Sequence, residues 1–215
     1  MRGGWWTPGT CALAKTGYYH PMATRTLAPT LLLAAPRLAD PNFERRVVLL
    51  GRHEAEGALG WVLNGPALDP VGRLLEAADL VPAGVRVPGS SAFHRPARVG
   101  GPVTPESGWL IYRSGGPSFD GEIEVGDEVV VCSNAAALEA VVRGQEPKQF
   151  RLVLGYAGWD AGQLEGELRE GVWLPATLDP RLVFETDPDA LWDVAFQQAT
   201  GGKGNAFGGK TWGVA

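Results

Sequence analysis

Apolar residues in this chain fall into short runs, most of three to six residues, divided by glycine, proline and aspartate. Runs of that length between turn formers are the pattern of buried strands. Leu31–Leu33 predicts a first strand, and Val47–Leu50 and Ala58–Leu63 a second and third across the polar turn His53–Gly57. Three strands this close in sequence are expected to be antiparallel neighbours. Further strands are predicted over Ala97–Val103, Gly108–Tyr112, Val129–Val131 up to Cys132, Trp173–Ala176 and Leu182–Phe184. Three segments change to helical spacing. They are Val71–Leu80, with Val71, Leu74, Leu75 and Ala78; the segment after Ser133 or Asn134, with Leu138, Val141 and Val142 and a stop at Gly144; and Asp189–Ala199, with Leu191, Trp192, Ala195 and Phe196.

One stretch, Arg151–Trp173, combines all these signals. Leu152–Leu154 reads as a buried strand, Gly155–Gly158 as a turn with Tyr156 and Trp159 in the loop, and Asp160 as a helix start. Asp160 would cap free amides while Gln163, three residues on, reaches back as the other half of a capping box. Leu164 and Leu168 then share one helix face, and Glu165 and Arg169 pair on the other. The pair Asp-Pro recurs at Asp40, Asp69, Asp179 and Asp187, each a position where a carboxylate can cap and proline can open a turn or helix. Strands and helices mix without strict alternation, which predicts an α+β fold with a curved, largely antiparallel sheet in a single domain.

Four ordered blocks carry a family resemblance. They are Ala35-Pro36 with Asp40-Pro41-Asn42-Phe43 and Arg46-Val47-Val48; Glu56-Gly57-Ala58 with Gly60 and Asn64; Gly100-Gly101-Pro102-Val103; and Gly155-Tyr156-Ala157-Gly158-Trp159 with Gly162-Gln163-Leu164-Glu165. Together they resemble the YqgE/AlgH family of bacterial proteins, over roughly Leu27 to Gln198. The resemblance implies a bifurcated sheet folded into a pseudo-barrel with helices outside. It also implies a non-enzymatic regulatory or interaction module, since members are commonly labelled transcriptional regulators. Two positions depart from the family pattern: Gly65 stands where arginine is common, and Arg98 where an aromatic or aliphatic strand residue is expected.

Composition sharpens the picture at the ends. Of 30 glycines, ten lie before Met22 or after Thr200. Residues 1–26 show neither a helical nor a strand period and the family resemblance begins only at about Leu27, which implies a disordered extension with Met22 as the native start; 27–200 is expected to be the folded domain and 201–215 a flexible glycine-rich tail. Between Met22 and Thr200, 15 Lys and Arg stand against 24 Asp and Glu, a net charge of −9. An acidic core lacks the basic face that displaces phosphate counterions, so direct DNA binding is not expected. Two cysteines, Cys11 and Cys132, make no disulfide framework, and no apolar run spans a bilayer, which together predict a cytoplasmic protein without a membrane anchor.

Candidate chemistry is sparse. His53-Glu54-x-Glu56 lacks the second histidine of a helical zinc pattern, and neither Gly89-Ser90-Ser91-Ala92 nor Ser107-Gly108 is a nucleophile elbow. Cys132 before a helix could be activated by the dipole, but three preceding valines favour a buried, inert thiol. No catalytic residue, metal or cofactor is expected. The binding candidates form two groups. Gly100, Gly101 and Pro102 with Gly155, Tyr156, Gly158, Trp159 and Gln163 could flank a cleft for a small anionic ligand, the alternative reading being a small-ligand-binding protein or an enzyme that uses this cleft; Asp40, Asn42, Arg46 and Asn64 form a polar set, with Arg46 paired to Asp40, Asp120 or Glu124. A protein partner is the expected ligand class.

Overall fold

The computed structural model describes residues 26–81 and 94–201. The expected N-terminal extension and glycine-rich tail, and most of the irregular 81–98 connection, lie outside them. In chain order the elements are β1 (Thr30–Ala34), β2 (Val47–Glu54), β3 (Gly57–Val62), β4 (Ala67–Pro70), α1 (Val71–Ala77), β5 (Pro96–Val99), β6 (Val103–Arg113), β7 (Ile123–Val125), β8 (Val129–Cys132), α2 (Ala135–Val142), β9 (Phe150–Asp160), α3 (Gln163–Arg169), β10 (Trp173–Ala176), α4 (Pro180–Phe184) and α5 (Leu191–Ala199).

The strands make one curled sheet in the order β10-β1-β2-β3-β9-β6-β8-β7, antiparallel throughout. The bifurcation is at β9. Its first half pairs with β6 and, in parallel, with β5 through Arg98↔Val153 and Val99↔Leu154; its second half pairs with β3. Gly100 stitches the fork, its carbonyl accepting from Val62 N at 2.8 Å and its N–H donating to Leu154 O at 2.6 Å.

Alternating strand side chains build three apolar clusters. Leu31, Leu33, Val47, Leu49, Trp61, Ile111 and Val131 face the concave side and are covered by α4 and α5, which bring Leu182, Val183, Leu191 and Trp192. Leu32, Ala34, Val48 and Leu50 face outward under Leu164 and Trp173, and Leu110, Tyr112, Val130 and Cys132 face outward under α1 and α2. β1, the first half of β2 and β8 are thus buried on both faces, which is why the sequence shows apolar runs there rather than alternation.

Three expectations are overturned. Leu182–Phe184 is helix, not strand, because Asp179 caps it by accepting from Arg181 N at 2.9 Å and Pro180 takes the first turn. Gly155–Gly158 is no loop: β9 runs straight through it to Asp160. Gly155, in left-handed conformation at φ 75°, sits where the pairing with β6 slips between Val103 and Gly108, and the two faces exchange there, so that Val153 and Tyr156 both pack on the concave cluster while Ala157 and Trp159 face outward. The helix therefore starts later, at Gln163 behind the left-handed Gly162, and the Asp160 carboxylate caps nothing; the reach-back half of the box survives, with the Asp160 N–H donating to Gln163 Oε1 at 3.0 Å.

Candidate functional site

The turn entering β2 is the most constrained polar locus. Arg45 holds φ 53°, unusual for a side chain with a Cβ. Asn64, buried at the end of β3, holds it there: Nδ2 donates to Arg45 O at 2.9 Å and Oδ1 accepts from Val47 N at 2.8 Å. The carboxamide thus replaces the strand pairing that the turn interrupts. Arg46 Nη1 in turn donates to Asn64 O at 3.0 Å. The ion pair expected for Arg46 with Asp40, Asp120 or Glu124 is not formed, because its guanidinium is turned onto that carbonyl; its Nε is buried without a hydrogen-bond partner among the described residues.

Above this turn lies a cleft of about 320 Å³, lined by Glu44, Arg45, Arg46 and Asn64 on one side and by Pro188, Asp189, Trp192 and Asp193 on the other. Arg45 stacks 4.2 Å over the Trp192 ring and pairs with Asp193 at 2.5 Å. Arg98 Nη1 reaches the same rim, donating to Gly65 O at 3.0 Å and to Asp189 Oδ1 at 2.8 Å. The two departures from the family pattern therefore meet: a guanidinium arrives from position 98 beside the glycine at 65, whose Cβ would stand 2.0 Å from Val99 O. Arg151 lies deeper, donating to the Val183 carbonyl and to Thr186 O; burial, and then the neighbouring Arg98, pushes its pKa down to about 10, so it stays charged near neutrality.

Of the polar set, the structure joins Arg46 and Asn64 and leaves Asp40 and Asn42 apart, in a turn where Asp40 Oδ1 accepts from Asn42 N at 2.8 Å. The two glycine stretches meet backbone to backbone. A Cβ on Gly101, at φ 152°, would lie 2.2 Å from Tyr156 O, and one on Gly155 would lie 2.4 Å from Gly101 O. They fill each other's missing side chains, and the space between them is protein. Pro102 is exposed beside Gly101, and Tyr156 packs edge-on to Trp109 at 6.0 Å.

Trp159 and Gln163 belong to a second arrangement organised by Glu167, a residue the sequence reading passed over. Glu167 Oε2 accepts from Trp159 Nε1 at 2.9 Å and Trp173 Nε1 at 2.7 Å, and Oε1 from Gln163 Nε2 at 2.8 Å. The signal was present, since Gln163 and Glu167 are one helical turn apart, but nothing local places two tryptophans over them. Glu165 is likewise drawn away from the expected Arg169 pairing: it meets His53 Nε2 at 3.0 Å, while Arg169 Nε donates to the Glu165 carbonyl. His53 Nδ1 accepts from Leu27 N at 3.1 Å, which puts the ring proton on Nε2 facing Glu165. This buried histidine ties the chain entry to α3.

Cys132 is fully buried, and burial pushes its thiol pKa up, opposite to what a nucleophile needs. Beside it Tyr112 donates to Glu122; burial and then that carboxylate raise the phenol pKa. Among the described residues no group of three His, Cys, Asp or Glu is placed to hold a metal, and no helix is long and apolar enough to cross a membrane.

A family model described as AlgH-like, DUF179, matches residues 31–203. A UPF0301 protein of Anaeromyxobacter dehalogenans is 40% identical over 175 residues, 80% of this chain and 87% of its own. Another, from Alcanivorax borkumensis, is 37% identical over 174 residues, 81% and 89% of the two chains. The solution structure of the AlgH protein from Pseudomonas aeruginosa superposes with TM-score 0.68 at 32% identity, covering 85% of this chain and 93% of that one. A crystal structure from Corynebacterium diphtheriae, at 22% identity and TM-score 0.62, shares the fold over 85% and 90%.

Proposed function

The chain belongs to the AlgH-like family DUF179, and from that premise we propose that it is a non-enzymatic regulatory module of the bacterial cytoplasm that acts through a protein partner. The observation that carries this reading is an open seam of about 590 Å³ where the turn between β7 and β8 faces β1 and β10. Pro29, Pro175, Pro180 and Leu178 give it an apolar wall, and Asp127 an acidic rim beside Glu128, which Arg113 pairs at 2.9 Å. Prolines are rigid and lack N–H donors, so docking on them immobilises little and leaves few amides unpaired. The acidic rim and the acidic chain suit a partner segment carrying Lys or Arg, and disfavour a nucleic acid. Where the regulated process is transcription, the contact with the transcription machinery is made by protein.

The test is affinity capture from the source bacterium with the native chain and with an Asp127→Arg/Thr177→Arg double variant, both positions being exposed, alongside a DNA gel shift at low salt. A partner retained by the native chain and lost by the variant supports the reading. Equal capture by both, or a DNA shift at low salt, overturns it.

A further inference from the structure

The cleft over Arg45 and Arg46 has features that stable packing alone does not require. Its floor is a non-glycine residue in left-handed conformation, over-determined by the two hydrogen bonds from Asn64. Strain held this firmly is characteristic of sites that need one geometry. Arg46, which lines the cleft beside Asn64, has no carboxylate partner among the described residues, and one of its donors, Nε, is buried with no acceptor. A buried donor without an acceptor is costly, and an incoming anion offsets that cost at Nε.

The other two guanidiniums are already matched to carboxylates. Arg45 holds Asp193 and Arg98 holds Asp189, but these side chains are 56% and 80% exposed, so both can swing into solvent without leaving a cavity. The Arg45–Asp193 pair, exposed on both sides, is of the kind that contributes little to stability and exchanges readily; Arg98 is only 13% exposed and keeps its hydrogen bond to Gly65 O when Asp189 leaves. One carboxylate of the ligand takes over the guanidinium that a swung-out aspartate leaves, and a second supplies the counter-charge that Arg46 lacks; the lining carboxylates Glu44, Asp189 and Asp193 oppose the added charge.

We propose that this cleft is a binding site for a small di- or tricarboxylate, with Arg46 as the recognising cation and Arg45 and Arg98 held ready by Asp193 and Asp189. Guanidinium forks match carboxylate geometry bidentately, and a volume of about 320 Å³ is at the small end for ligand pockets. The site is separate from the seam, and its test is independent of the partner bound there.

The experiment is titration of the full chain with succinate and citrate, with succinamide as the uncharged control, followed through the arginine Nε–H resonances and by calorimetry. Saturable one-to-one binding of either carboxylate that moves the Arg46 resonance, with no response to succinamide, is expected. Arg46→Gln, which keeps donors for Asn64 O but not the charge, should weaken binding at least tenfold. Asp189→Asn/Asp193→Asn, altering exposed side chains only, should strengthen it severalfold. No saturable binding by either the native chain or the double Asn variant overturns the proposal, as does binding that Arg46→Gln leaves unchanged in a folded protein.

Discussion

Asn64 shows how one side chain decides a local structure. Replacing it with Ala removes the acceptor for Val47 N–H and the donor to Arg45 O in a buried setting. The expected cost is about 2–4 kcal/mol, read as a lowered urea midpoint, since each orphaned group loses about 1–3 kcal/mol. Gly101 and Gly158 make a contrasting pair. Gly101→Ala forces a Cβ to within 2.2 Å of Tyr156 backbone at φ 152° and should cost about 3 kcal/mol or more. Gly158→Ala, whose nearest neighbour would be 3.6 Å away and whose backbone needs no left-handed turn, should change stability by less than about 1 kcal/mol. Both variants are read in the same urea titration; equal effects would refute the backbone-contact account.

At the scale of elements, short helices here depend on what caps and covers them. The seven-residue α3 is too short to stand alone, and Glu167 ties it to two indoles on different strands. Glu167→Ala leaves both buried Trp N–H groups unpaired and should cost about 2–3 kcal/mol, with a changed near-ultraviolet dichroism from Trp159 and Trp173. The still shorter α4 rests on Asp179, whose pKa is held below the ordinary carboxylate range chiefly by the hydrogen bond from the Arg181 side chain. A carboxylate with a depressed folded pKa stabilises fully above its unfolded value, about 3.9, and loses that contribution as pH falls through the lower folded value. Asp179→Ala should therefore cost about 1 kcal/mol at pH 7, and the gap from the native chain should close as unfolding is followed below about pH 4. A gap that widens in acid would reverse the assignment.

For the molecule as a whole, the concave side of the half-barrel is closed by α4 and α5 rather than by further strands. Leu191, Trp192, Ala195 and Phe196 are all buried there, and Trp192 Nε1 donates to Ala34 O at 2.9 Å. A chain ending at Asp189 would expose Leu31, Leu49 and Trp61 to water. At about 25 cal/mol per Å² of apolar surface, the loss exceeds a typical domain stability of about 5–15 kcal/mol only if several such side chains are uncovered together. Here they are, so the shortened chain should lose its cooperative thermal transition; a sharp transition near the native midpoint would show the barrel closes without α5.

The sequence by itself determined much of the fold. Runs of valine and leucine placed β1, β2 and β8, because strands buried on both faces must be apolar along their length, shorter apolar stretches placed β3, β6 and β10, and the spacing of Leu191, Trp192, Ala195 and Phe196 gave α5 its buried face. Cys132 read as a buried thiol for the same reason. Side-chain capping is local as well, so Asn134 was legible as the cap of α2, where its Oδ1 accepts from Ala136 N at 2.8 Å. What only the tertiary structure decided are matters of long-range approach. Leu182–Phe184 has strand composition, but the cap from Asp179 and the proline at its first turn prevail, and it packs as a helix on the core. Gly155 looks like a loop residue until β3, β5 and β6 are laid along β9, when it becomes the left-handed point at which the strand passes from one set of partners to the other. The candidate cleft follows the same rule: Arg46 and Asn64 carried a local sign of importance, but Arg98, Asp189, Trp192 and Asp193 come from segments up to 148 residues away, and no local pattern records which cations face which carboxylates.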